Sequence, residues 1–163
     1  MFKRGRVLKS FLFICLVIGN TSCFNSKDSE NSPKKRLAEY ISKSFSVKKL
    51  SERDELIEFL KGDVKNRLLS WSDEQFREAF IDSKREFLKL VILESKVISE
   101  TEVEMTYELI YLDRGRGIDG KEHLAKITNK KLCQIVLDQN QWYISDVKNI
   151  KELIEHQNEL ALP

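Results

Sequence analysis

Two histidines, three cysteines and four tyrosines are the side chains of this 163-residue sequence best suited to moving protons or attacking a substrate. Acid–base chemistry needs a general base with a shifted pKa and a donor for the developing oxyanion. His123 follows a glycine-rich stretch, and His156 stands among Glu152, Glu155 and Glu159. Neither has a partner at a motif spacing, so no catalytic residue is assigned and a non-enzymatic role is favoured. Met105, Tyr107 and Tyr111 share one parity and are candidates to line a pocket; the other reading is a filled core with the hydroxyls at its edge. Asp113 and Asp119 flank glycines without the spacing of a calcium loop. No Cys/His cluster reads as a zinc site and no phosphate loop occurs, so neither metal nor cofactor is expected. Cys133 alternates with Ile135 and Leu137, as a buried and inert thiol would.

Cys23 is a different case. Lys3, Arg4, Arg6 and Lys9 precede an apolar run from Phe11 to Gly19, and Asn20-Thr21-Ser22-Cys23 follows. Basic, apolar and small-residue regions in that order read as an export signal. The run is too short for a hydrocarbon core, which needs about 20 residues. The stretch resembles a bacterial lipoprotein signal, in which small residues precede a lipidated cysteine. Thr21-Ser22-Cys23 matches that pattern, and Asn20 stands where leucine is usual. The resemblance implies a signal peptide over residues 1–22, acylation of Cys23, and a membrane anchor in the cell envelope. The domain would then sit in the periplasm or at the cell surface. Phe24, which is not the aspartate associated with inner-membrane retention, tilts this toward the outer membrane. The alternative is an ordinary signal cut near Ser22, leaving a soluble exported protein.

The rest of the chain fits an anchored domain. Residues 23–32 form a polar tether rich in Ser and Asn, and residues 33–163 are long enough for one domain. With Cys15 removed and Cys23 acylated, Cys133 stands alone, so no internal disulfide is available. Taking the four cations of residues 1–22 from 28 leaves 24 basic against 26 acidic side chains. That near-balance gives no footprint for nucleic acid.

Periodicity supplies the elements that must position these residues. Ser32-Pro33 reads as a cap with proline at the first helical position, followed by Leu37, Tyr40, Ile41 and Phe45 on one face. A second helix carries Leu56, Ile57, Phe59 and Leu60 and is expected to stop at Gly62. A third bears Val64, Leu68 and Leu69. Ser72 and Gln75 form a capping box, with Trp71 and Phe76 placed for a hydrophobic staple. From Phe87 the pattern turns to strands. The run "FLKLVILESKVIS" is apolar on both sides and predicts a buried strand. Residues 103–112 alternate, with Val103, Met105, Tyr107, Leu109 and Tyr111 on the core side. Residues 113–120 read as a loop. Ala125, Ile127, Cys133, Ile135 and Leu137 mark the next strand, and residues 142–147 the last. A closing helix from Asn149, bearing Ile150, Leu153 and Ile154, is expected after it.

Helices followed by an antiparallel sheet of about four strands indicate an α+β fold, with the N-terminal helices packed on a curved sheet. The C-terminal stretch "KLCQIVLDQNQWYISDVKNI" adds a family resemblance. Its strand, its turn and then Trp142-x-Ile144-x-Asp146-Val147 are similar to the last two strands of the nuclear transport factor 2-like (cystatin-like) superfamily. The resemblance implies a bent sheet wrapped round a helix, forming a cone with a possible pocket at its open end. Three functions follow as expectations. The first is a tethered, non-catalytic binding or interaction module with an envelope protein partner. The second is a carrier of a lipid or other apolar ligand. The third is a small-molecule isomerase or lyase.

Overall fold

The computed structural model describes residues 31–116 and 122–157. The expected signal peptide, Cys23, most of the tether, Asp119 and residues 158–163 lie outside them. Helix α1 (Pro33–Ser46) begins where the sequence caps it. The Ser32 hydroxyl accepts a hydrogen bond from Lys35 N at 3.2 Å, and Pro33 occupies the first turn. Its inner face buries Leu37 and Ile41. A short 3-10 turn (Leu50–Glu52) leads into α2 (Arg53–Ile57), and α3 spans Gly62–Leu69. Gly62 therefore opens a helix and does not close one. Its φ of +61° lets the chain turn against the carbonyl of Ser145. Helix α4 (Asp73–Phe76) continues as a wider π-type turn (Arg77–Ile81).

Four strands follow in an antiparallel meander of order β1-β2-β3-β4: β1 (Arg85–Ser99), β2 (Glu102–Arg116), β3 (Glu122–Asp138) and β4 (Gln141–Gln157). The chain is thus α+β, with its helices on one face of the sheet. β2 and β3 pair with no shift of register, so alternation is kept along both. Val103, Met105, Tyr107, Leu109 and Tyr111 are buried on β2, and Ala125, Ile127, Cys133 and Ile135 on β3. Helices and sheet are stitched together at β4. Lys61 N donates to the Ile144 carbonyl at 2.9 Å, and Ile144 N donates to the Phe59 carbonyl at 2.9 Å.

Three further expectations need correction. β1 is an edge strand, not a strand buried on both faces. Its ladder slips three times, leaving Leu88, Leu93 and Ile98 as extra residues, and these are 43%, 45% and 46% exposed. Each bulge adds one residue and flips the parity, which makes both parities look apolar in the sequence. The closing helix is absent. Residues 149–157 continue β4 and pair with β3 as far as Leu124. Without them the first half of β3 would have backbone groups unpaired on that side. Ile150, Leu153 and Ile154 are exposed. Finally, the expected loop from Asp113 begins later, because β2 runs to Arg116.

The bulges fall on the outer strands of the sheet. Both outer strands carry them, with β4 slipping near Lys130/Lys131 and Gln134/Ile135 of its partner. Extra residues on the outer strands bend them while the central pair stays regular. α1 packs against β1 and β4, and α3 packs against β4, on one face of the sheet.

Candidate functional site

A cleft of about 490 Å³ opens between the helices and the sheet face they cover. Helix α1 contributes Tyr40, Ile41, Ser44 and Phe45, while α3 contributes Val64 and Arg67. Trp71 and Phe80 also line it, with their rings 6.0 Å apart. The sheet provides the floor with Arg85, Tyr107, Leu109, Lys131, Val147 and Asn149. The volume falls within the range of about 300–1,000 Å³ common for small-molecule sites.

The Ser72–Gln75 capping box forms as read, with Ser72 N donating to Gln75 Oε1 at 2.9 Å and Gln75 N to Ser72 Oγ at 3.2 Å. The ring that meets Trp71 is Phe80, and Phe76 packs on Phe80 in turn at 4.9 Å. Trp71 is therefore placed by the cap and also forms a wall of the cleft.

The candidate residues separate. Tyr107 is in the floor of the cleft. Met105 is wholly buried opposite Cys133. Tyr111 is buried one side of the cleft, accepting a hydrogen bond from Asn129 Nδ2 at 3.3 Å and touching Phe45 edge-on at 5.6 Å. Burial raises the pKa of Tyr40, Tyr107 and Tyr111. These phenols stay protonated at neutral pH and can serve as hydrogen-bond donors. Burial likewise pushes the Cys133 thiol up to about 12, so it is a poor nucleophile. His156 is exposed on β4 opposite Ala125, far in register from Tyr107. Among the described residues no group of three or more His, Cys, Asp or Glu is arranged to hold a metal. None of their helices is long and apolar enough to cross a membrane.

The polar groups of the cleft were not among the sequence candidates. Asn129 and Lys131 occupy the core-facing parity of β3, between Ile127 and Cys133, where they oppose Leu109 and Tyr107. That interruption of an apolar row by two polar residues is a readable signal. Burial lowers the pKa of Lys131, and the charge of Arg85 lowers it further, with Glu152 opposing. Arg85 stands at the start of β1. Its guanidinium lies 5.5 Å from the Phe45 ring centre and 6.0 Å from that of Tyr111, and it donates to the Ala79 carbonyl. Its Nε is buried without a hydrogen-bond partner, as is Asn129 Oδ1. Arg67 completes the set from the exposed surface of α3.

No family model matches the chain, and no curated protein matches it. Among solved structures it is similar to one described as an NTF2-like protein involved in plasmid conjugation. Identity is 11% and the TM-score 0.42, over 80% of this chain and 53% of the other. The chain spans about half the length of that structure.

Proposed function

We propose that this chain is a membrane-tethered binding module of the cell envelope, without catalysis, and that its ligand sits in the cleft. On this reading the domain is a nuclear transport factor 2-like cone held to the membrane through acylated Cys23, with the outer membrane favoured. The four-stranded antiparallel meander with helices packed on one face supports the cone. The observation that carries the binding role is the make-up of the cleft: Phe45, Phe80 and Trp71 on its walls, with phenols that remain protonated. An apolar body can be covered there, and the polar groups can orient it.

Trp71 makes the reading testable. The chain has two tryptophans, and Trp142→Phe leaves Trp71 as the sole reporter in the cleft. Titrating the full chain carrying that change with decanol should shift and enhance tryptophan emission with saturation near one equivalent. An emission spectrum indifferent to decanol would count against the cleft as a binding site. The anchor is checked separately: Cys23→Ala should move the exported protein from the detergent phase to the aqueous phase. An unmodified cysteine at position 23 in the intact mass of the native protein would sink the anchor.

A further inference from the structure

Lys131, Arg85 and Arg67 bring three positive charges to one partly apolar cleft. Among the described residues, none of them makes an ion pair with a carboxylate. Two acids come near. Asp113 lies opposite Arg85 in the strand register, and Glu152, exposed on β4, acts on both Lys131 and Tyr111. Neither neutralises the cations by direct contact. A charge drawn out of water without a partner is unfavourable, yet the fold keeps Lys131 on the core side of a central strand and buries the Nε of Arg85.

We infer that the cleft binds an anionic amphiphile, its head seated between Arg85 and Lys131 and its apolar body along Phe45, Phe80 and Trp71. This rests on the cleft-binding reading above and adds the charge of the ligand. The guanidinium of Arg85 offers a planar fork that suits a carboxylate or phosphate. Lys131 adds a point charge from the floor. Arg67 stands on the outer side and steers anions inward from solvent. The Tyr40 and Tyr107 hydroxyls, both in the lining of the cleft, are further donors to a head group. Lys131 pays for this arrangement in stability, because its charge has been drawn from water to await a partner.

The competing account is that Lys131 merely runs its aliphatic stem over the core and turns its ammonium to water in the cleft. The two accounts differ in what happens when a ligand arrives. The experiment uses the full chain carrying Trp142→Phe, titrated with decanoic acid, decyl phosphate and decanol while Trp71 emission is followed. Both anions should bind about 10- to 100-fold more tightly than the alcohol, the usual effect of a hydrogen bond to a charged group. Added salt should weaken the anions and leave the alcohol unchanged. The ratio of carboxylate to phosphate affinity tells which head group the cleft prefers. Lys131→Met and Arg85→Gln should each remove most of that preference, by weakening both anions far more than they change decanol binding. Lys131→Met should also raise the melting temperature of the free protein, so loss of anion binding there is not a loss of fold. Equal binding of acid, phosphate and alcohol overturns the anion inference and leaves the apolar cleft standing. Failure of all three to bind overturns both.

Discussion

The two central strands and the two outer ones follow different rules. β2 and β3 hold one register from end to end, and each buried side chain meets a buried or half-buried partner across the ladder. β1 slips three times and β4 twice, and their apolar residues face both core and water. The central pair makes the core. The outer pair is irregular, and the cleft beneath the helices takes Arg85 from β1 and Val147 and Asn149 from β4 beside residues of the central pair. Strict alternation here goes with the buried core, and its interruption with outer strands whose apolar residues face both ways.

The largest effect should come from breaking the regular region. Ile135 is wholly buried, opposite Val103 on one side and Ile144 on the other. Ile135→Ala removes methyl and methylene groups where neighbouring strands on both sides resist collapse. Such changes cost about 2–5 kcal/mol. Whole domains are held by about 5–15 kcal/mol, so urea unfolding should show a sharply lowered midpoint. A midpoint near that of the parent would mean that the centre of the sheet is not the centre of the core.

Alkaline titration sharpens the same comparison through Cys133, which faces Met105 in the regular ladder. Its folded pKa is raised from 9.0 to about 12, first by burial, with a hydrogen bond from Met105 opposing and Glu104 adding. A raised folded value means that the native state keeps a proton which the unfolded chain gives up. The stabilisation is complete below pH 9 and is lost as pH climbs toward 12. The slope should approach about 1.4 kcal/mol per pH unit. In Cys133→Ala that first loss should vanish. The remaining decline should begin near pH 10, where the unfolded counterparts of Tyr40, Tyr107 and Tyr111 ionise. Lys131 works the other way, since its lowered value makes deprotonation relieve strain on the folded state below 10.5. Stability measured by urea midpoint from pH 8 upward checks the order. An unchanged slope in Cys133→Ala would mean that the thiol is not shielded.

What could be read in the sequence follows the same division. Val103 through Tyr111 and Ala125 through Ile135 announced their faces because their ladder has no interruption. The Ser72–Gln75 cap was legible for a similar reason, since all its parts lie within four residues. The run from Phe87 misled because three bulges superimpose opposite parities on one strand. Asn149 to Glu152 looked like a helix start, yet the backbone of β3 required a partner there, a demand that no local pattern reveals. Ile144 is buried in the core, and Trp142, opposite Leu137, is half-buried. For the cleft, Tyr107 was legible from parity, and so in principle were Asn129 and Lys131. Arg67, Arg85 and Trp71 meet the cleft from three separate elements, and only tertiary packing brings them together.

The smallest effect should come from the irregular region, and Leu93 isolates it. It is the extra residue of the second β1 bulge, lying between Ile92, paired with Tyr107, and Glu94, paired with Thr106. A residue inserted in this way has no cross-strand neighbour of its own, so little packing depends on its side chain. It is also 45% exposed. Leu93→Ser should therefore change stability by no more than about 0.5 kcal/mol, as surface substitutions usually do. The backbone of the bulge would remain, because the register leading into it is fixed by Leu90 and Ile92 against the core. The measurement is the same urea midpoint used for Ile135→Ala, joined by the elution volume on size exclusion. If the serine variant loses more than about 1 kcal/mol, Leu93 has packing that an exposed bulge does not supply. If stability holds but the elution volume rises, the apolar edge of β1 had been pairing with a second copy of the chain, and the contrast between inner and outer strands would belong to an assembly as well as to the monomer.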